Sequence, residues 1–366
     1  MDTLIFSASI GAGHDQVAKA LQEEILRRYP AARVAVVDTI SYINPVLSKV
    51  VLESYLGIVR YTPRVWAKLY ETTEGDAGPE LGGLPLRLLS RTLNNLISDF
   101  SPQQIICTHP FSAGLMAGLK RQQKIQQPLT TVITDFAVHS YWVHNGIDHY
   151  CIAHQDLAFL LEELQVPPSR IVPTGIPVGL EFSQVIDRQT ALNELGLDDL
   201  PTVLVMGGSL GLGNIRQIVE QLDQAVSGIQ ILVVTGRNEP LRIALQGLRW
   251  RNSQRIYGYV DCVPDLMAVS HLVLTKAGGV TTAEALSQHK PLVIIASLPG
   301  QEHRNADFLT EHGAAIRLKE DKYVGQRLGQ LLADRDRLDS LARMAAKLAR
   351  RGAAAAVIDL VESGRN

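Results

Sequence analysis

The stretch from His271 to Asn305 constrains this chain most. An apolar run, His271 to Leu274, stops at a turn of small residues containing Gly278 and Gly279, and a helical pattern opens at once over Val280 to Leu286. Strand, glycine turn and helix in so few residues is the pattern of a parallel α/β sheet. It recurs twice. Thr3 to Ser7 breaks into Ser9-Ile-Gly11-Ala-Gly13-His14 before helical spacing over Gln16 to Arg28, and Pro201 to Met206 breaks into a run with glycines at 207, 208, 211 and 213 before another helix. Further short apolar runs begin at Arg33, Gln104, Leu129, Asp148, Arg170, Gln230, Arg255, Pro291 and Ala315. The expected class is α/β, two Rossmann-like doubly wound domains. A chain of 366 residues suits two cores better than one.

The chemistry such junctions offer is anion binding. Glycines admit a close backbone, and the first amides of the following helix point at a phosphate. Gly278, Gly279, Val280, Thr281 and Thr282 make up that junction, and Glu284 follows where a carboxylate accepts the two hydroxyls of a ribose. The strand ending at Ile295 runs into a polar loop holding Gln301, Glu302 and Asn305, an amide and carboxylate set suited to sugar hydroxyls. Gly208, Ser209 and Gly211 add backbone donors for a pyrophosphate. Simple dinucleotide binding is disfavoured, because Gln16 occupies the third glycine position of the first loop and Thr235-Gly-Arg237-Asn stands where an acidic residue is expected. Arg237 suits phosphate.

Composition excludes some classes. With 35 basic and 37 acidic residues there is no global field for nucleic acid. The three cysteines, Cys107, Cys151 and Cys262, form no Cys-x-x-Cys pair and read as structural thiols of a reducing compartment. No basic n-region precedes an apolar segment, and no apolar run approaches the ~18 residues of a membrane span. A cytoplasmic protein is expected. Between Ile40 and Phe100, Tyr42, Tyr55, Tyr61, Trp66 and Tyr70 alternate with Lys49, Arg60, Arg64, Lys68, Arg87 and Arg91. Core helices with a mobile loop are the first reading there; the second is peripheral contact with an anionic membrane on its inner face.

The motif Ala277-Gly-Gly-x-Thr-x-x-Glu284-Ala, followed by Pro-Gly-Gln301-Glu302 and Asn305, resembles the donor-site signature of the diacylglycerol glycosyltransferase family. More distantly it resembles the peptidoglycan N-acetylglucosaminyl transferase. Gly11-x-Gly13-His14 with Gln-Val-Ala-Lys-Ala-Leu after it, and Thr134-Asp135-Phe-x-x-His139-x-x-Trp142, resemble the processive diacylglycerol glucosyltransferases of bacteria. Plant galactosyl relatives carry an aspartate where Ser9 stands. The resemblance implies the GT-B glycosyltransferase architecture, two domains facing a cleft, and inverting transfer of a hexose, glucose favoured over galactose, from a UDP-sugar to a diacylglycerol-type lipid. A polyprenyl-linked acceptor and a non-catalytic UDP-sugar sensor are the alternatives.

Within that reading His14 is the general base, since an imidazole near pKa 6.5 suits deprotonation of an alcohol. Asp135 either polarises it or orders the acceptor loop. Gly13, His109, His139 and Trp142 fall on the acceptor side. The backbone of Tyr259 and Val260 is expected at the uracil. No metal is implied: Asp334-Arg-Asp336 sits in a late amphipathic helix, and His139, His144, His149 and His154, five residues apart, share no helix or strand face. Expected boundaries are 1–176 for the acceptor and membrane-facing domain, 177–340 for the donor domain, and 341–366 for a helix crossing back.

Overall fold

The computed structural model describes residues 1–9, 12–43, 84–211, 213–295, 300–319 and 322–363. The aromatic and basic residues from Lys49 to Tyr70 proposed for membrane contact, and Gly11 of the first loop, lie outside these. The chain divides into two compact units. Met1–Leu180, Pro299–Gln301 and Gly352–Asn366 form the first; Glu181–Leu298 and Glu302–Arg351 form the second.

The first unit is built on six parallel strands, β1 (Thr3–Ser7), β2 (Val34–Asp38), β3 (Gln104–Cys107), β4 (Leu129–Val132), β5 (His149–Cys151) and β6 (Ile171–Val172). Their order is β2-β1-β3-β4-β5-β6. Helices α1 (Ala12–Arg28), α2 (Thr39–Ile43), α3 (Leu84–Phe100), α4 (Pro110–Arg121) and α5 (Ala158–Glu163) accompany them. Every residue of β1 and β3 is buried, as central strands of a sheet covered on both faces require. α1 supplies part of that cover through Val17, Ala18, Leu21 and Ile25, a single apolar stripe.

The second unit repeats the plan with β7 (Thr202–Met206), β8 (Gln230–Val234), β9 (Ser253–Tyr257), β10 (Leu272–Thr275), β11 (Leu292–Ile294) and β12 (Ala315–Arg317), in the order β12-β11-β10-β7-β8-β9, again parallel. Its helices are α6 (Arg188–Leu195), α7 (Ile215–Ala225), α8 (Glu239–Gln246), α9 (Val263–Val269), α10 (Gly279–Ser287), α11 (Gln301–Glu311), α12 (Val324–Ala333) and α13 (Arg335–Leu348). The core joins Val203, Val205, Ile231, Val233, Leu272 and Leu274 of the strands to Ile218, Val219 and Leu222 of α7 and Leu328 of α12.

In each sheet the strand order reverses once, between β1 and β3 and between β7 and β10. The connections on either side of that point depart in opposite directions and leave a crevice at the carboxyl ends of the strands, where ligands bind in open α/β sheets. All three glycine junctions read from the sequence follow strands at these points.

Several boundaries differ from expectation. α1 begins at Ala12, so Gly13 and His14 are its second and third residues instead of loop. Gln301 to Asn305 is the opening of α11, not a polar loop. The C-terminal segment is two helices: α13 stays in the second unit against α10 and α12, and α14 (Ala353–Ser363) belongs to the first. The crossings accordingly fall at Leu180/Glu181 and Arg351/Gly352, later than residues 176 and 340. α14 packs on α1, where Arg28 donates to Asp359 at 2.5 Å and to the Ala355 carbonyl, and Tyr29 donates to Glu362 at 2.7 Å.

Candidate active site

The first crevice holds a histidine whose protonation state follows from its neighbours. The Thr108 amide donates to the Phe6 carbonyl at 2.9 Å, continuing the β1–β3 ladder, so the sheet fixes where the Thr108 carbonyl sits. His14 Nδ1 lies 2.7 Å from that carbonyl oxygen and 3.0 Å from Thr134 Oγ1, just beyond β4. A carbonyl only accepts, so Nδ1 carries the proton and Nε2 keeps the lone pair in the neutral ring. Thr108 also donates from Oγ1 to the His14 carbonyl at 3.1 Å. Burial pushes the His14 pKa below its ordinary value, and the negative charges of Asp135 and Asp15 and the Thr108 bond oppose that without overcoming it. The position near a helix N-terminus works in the same direction, since its positive end disfavours an imidazolium. Asp15 itself accepts the Ser7 and Ser9 hydroxyls at 2.6 and 2.7 Å and so ties the end of β1 to α1.

Two of the residues expected on the acceptor side, His109 and Trp142, stand against this ring. His109 meets it edge-on with centroids 4.5 Å apart, and Trp142, buried, lies at 6.3 Å. His109 is also the N-cap of α4, its Nδ1 accepting from the Phe111 amide at 3.1 Å, and desolvation followed by the charge on His14 holds its pKa well down. His139 caps a short turn by accepting from the Tyr141 amide, and His154 does the same for Asp156. Asp135 is half-buried and acts on His14 through its charge.

In the second crevice the strand, glycine turn and helix start read from the sequence are present, with differences in detail. Gly278 caps α10 without a side-chain bond, and the first amides of Gly279, Val280 and Thr281 have no acceptor within the helix. Thr281 is half-buried. Thr282, counted in the predicted junction, is fully buried and bonds back to the Gly278 and Gly279 carbonyls at 2.9 and 3.0 Å. Glu284 is the sixth residue of α10, so it stands in the second turn, not the first. Desolvation, then the charge of Glu181, pushes its pKa up to about 8.

The glycine loop after β7 serves packing first. Gly211 has φ +55°, and a Cβ there would meet the Thr235 carbonyl oxygen at 2.3 Å; one on Gly236 would meet the Ser209 carbonyl oxygen at 2.4 Å. The loop after β7 and the loop after β8 are thus pressed together, joined by the Arg237 amide to the Ser209 carbonyl at 2.8 Å and by Asn238 Nδ2 to the Gly211 carbonyl at 3.0 Å. Arg237 is exposed, its guanidinium 5.5 Å from the Tyr259 ring.

Lys276, directly after β10, was not foreseen as a site residue. Its ammonium pairs with buried Glu302 of α11. Its chain lies where a Cβ on Gly208 would be, 2.8 Å from Cε, and Nζ is 3.7 Å from a Cβ built on Gly278. The cation therefore sits where the two glycine turns converge. Asn305, fully buried, donates from Nδ2 to the Ala277 carbonyl at 2.9 Å and braces the turn. Glu302 and Asn305 are thus engaged in holding the junction, beyond any contact with a sugar. A lysine between a strand end and a Gly-Gly turn was the available signal.

Two six-stranded parallel units with glycine turns at both switch points are the GT-B fold of glycosyltransferases. The chain superposes on Acinetobacter baumannii MurG with a TM-score of 0.65 at 14% identity, covering 99% of each chain. It superposes on CalG4, the calicheamicin glycosyltransferase, with a TM-score of 0.64 at 14% identity, covering 99% and 98%. Residues 14–178 match the monogalactosyldiacylglycerol (MGDG) synthase family, and residues 202–360 match the glycosyltransferase family 28 C-terminal domain. The processive diacylglycerol beta-glucosyltransferase of Bacillus cytotoxicus is 28% identical over 362 residues, 98% of this chain and 92% of that one. The protein of the same description from Bacillus cereus strain AH187 is 30% identical over 339 residues, 92% and 86%. The chain belongs to the diacylglycerol glycosyltransferase family and is a glycosyltransferase.

Proposed function

We propose that the protein transfers glucose from UDP-glucose to the hydroxyl of a diacylglycerol-type lipid, with inversion at the anomeric carbon. The observation that carries the reading is the His14 ring, neutral by burial and holding its proton on Nδ1, so that Nε2 is a ready base. Nε2 takes the proton of the lipid hydroxyl as its oxygen bonds to the anomeric carbon. The bond from that carbon to the β-phosphate oxygen breaks, and its electron pair leaves with uridine diphosphate. The amides opening α10 and the Lys276 ammonium receive the developing charge. Arg237 adds a cation to the diphosphate, Glu284 accepts the ribose hydroxyls, and the Tyr259–Val260 backbone meets the uracil. Gln301 and Glu302 read the sugar hydroxyls.

With a lysine and a helix N-terminus at the diphosphate, the reaction needs no divalent metal and no organic cofactor; transfer is expected to survive EDTA. An acceptor of this kind lies in a bilayer, so peripheral contact with an anionic membrane at the cytoplasmic face goes with the reading. No helix among the described residues is long and apolar enough to cross a membrane. Flotation with anionic vesicles tests the contact, and failure to float with them would remove it.

Galactose is the second reading, favoured by the match of residues 14–178 to the monogalactosyldiacylglycerol synthase family. The deciding experiment incubates the protein with UDP-glucose or UDP-galactose and diacylglycerol in mixed micelles, and identifies the lipid product and its anomeric configuration. A β-glucosyl lipid is expected. A galactolipid selects the second reading, and nucleotide binding without any product refutes the enzyme assignment.

A further inference from the structure

The group that orients the base is a neutral pair. At Nδ1 the ring meets the Thr108 carbonyl at 2.7 Å and the Thr134 hydroxyl oxygen at 3.0 Å. Both partners are anchored by the sheet: Thr108 continues β3 through its amide bond to Phe6, and Thr134 follows Ile133, whose amide bonds to the Cys151 carbonyl at 2.9 Å. Thr108 and Thr134 are both buried. The charges of Asp135, from beyond β4, and of Asp15, from α1, act on the ring, while His109 at the N-cap of α4 presents a ring that burial and His14 keep neutral.

We propose that Thr134 is a positioning residue which, with the Thr108 carbonyl, holds His14 as the Nδ1–H tautomer and leaves Nε2 as the proton acceptor. The proposal rests on reading His14 as the general base. The carbonyl selects the tautomer because it has no proton to give. The hydroxyl oxygen takes a share of the same N–H and sets the rotation of the ring, which a single acceptor leaves free to swing about the bond. When Nε2 gains the lipid proton, both bonds at Nδ1 become charge-assisted and strengthen, so the pair stabilises the imidazolium during the step and holds no charge beside the resting base. A carboxylate at Nδ1 would bias the ring toward the cation before substrate arrives.

Thr134→Val keeps the shape and removes the acceptor. In that variant the acidic limb of kcat/KM should move to lower pH by about half to one unit, and kcat should fall about three- to tenfold. Thr134→Ser should restore both. A loss of packing alone would lower activity and leave the limb in place. Selectively 15N-labelled histidine in the wild-type protein reads the tautomer and midpoint of His14 without turnover, and does not depend on any variant folding. A proton on Nδ1 with a midpoint that drops in Thr134→Val supports the proposal. A proton on Nε2 in the wild type, or a limb and midpoint unmoved in Thr134→Val, overturns it. His14→Ala run alongside separates the two levels: if it retains the rate, the base assignment fails; if it abolishes transfer while Thr134→Val behaves as wild type, only the role of Thr134 fails.

Discussion

The junction after β1 and the junction after β10 are built alike and, in the proposed reaction, used oppositely. Each follows a central strand at the point where its sheet order reverses, and each opens a helix with small residues. At the first, the third helical residue is a histidine whose Nδ1 is tied to a carbonyl. At the second, that position is Thr281, the first amides have no acceptor within the helix, and Lys276 stands beside the turn. The positive end of a helix acts in both. It repels a proton from an imidazole in one case and, in the proposed reaction, attracts a phosphate in the other. What a helix start does thus depends on whether a side chain or an incoming ligand occupies the field.

If the division of labour holds, substitutions should split cleanly between rate and nucleotide affinity. The largest effect belongs to His14→Ala: transfer should fall by about 10² to 10⁴, while calorimetry finds affinity for uridine diphosphate within about twofold of wild type. Parallel loss of affinity would erase the distinction. Lys276→Ala comes next. It removes the cation at the glycine turns and strands buried Glu302, and affinity for uridine diphosphate should drop about ten- to a hundredfold. An unchanged dissociation constant would take the diphosphate away from this turn.

Glu284→Gln sharpens the second junction further. Affinity should fall about tenfold, because an amide accepts the ribose hydroxyls less well than a carboxylate. Stability should move the other way. A carboxyl with its folded pKa raised to about 8 favours the native state below that pH, and the advantage is lost as pH rises through it. The variant should therefore melt above wild type at pH 9, and the gap should close near pH 5. Equal melting curves at pH 9 would show the carboxyl to be unstrained. The smallest effect is in the pH profile of the wild type. Since the His14 pKa is lowered, kcat/KM should rise through a midpoint below the ordinary 6.5 and be flat at neutrality. A midpoint at or above 6.5 would mean that the base is not the half-buried ring of His14.

The sheets were legible because their strands are apolar runs cut by glycine, proline or polar residues. Gln104–Cys107 and Gln230–Val234 are found where periodicity puts them. Helix starts were less so. Gly13 and His14 resemble turn residues, yet α1 already includes them, and the polar residues Gln301 to Asn305 hide a helix whose apolar face starts at Ala306. The two-helix ending was concealed by alanine on both sides of Gly352. At the site, residue types within one junction were readable and pairings across the fold were not. Lys276 and Glu302 are 26 residues apart, and His14 and Thr134 are 120 apart. Nothing in either segment specifies its partner, because the register of the sheet brings them together.

The return of α14 to the first unit has a consequence for synthesis. Arg28 and Asp359 are 331 residues apart. At about 5–20 residues per second, α1 emerges from the ribosome on the order of tens of seconds before the helix that covers it. The first unit to be translated is thus the last to be closed, and the nascent chain carries an uncovered flank of α1 while the whole second unit is made. Stalling translation just before Ala353 should leave the first unit more open to limited proteolysis than in the released protein.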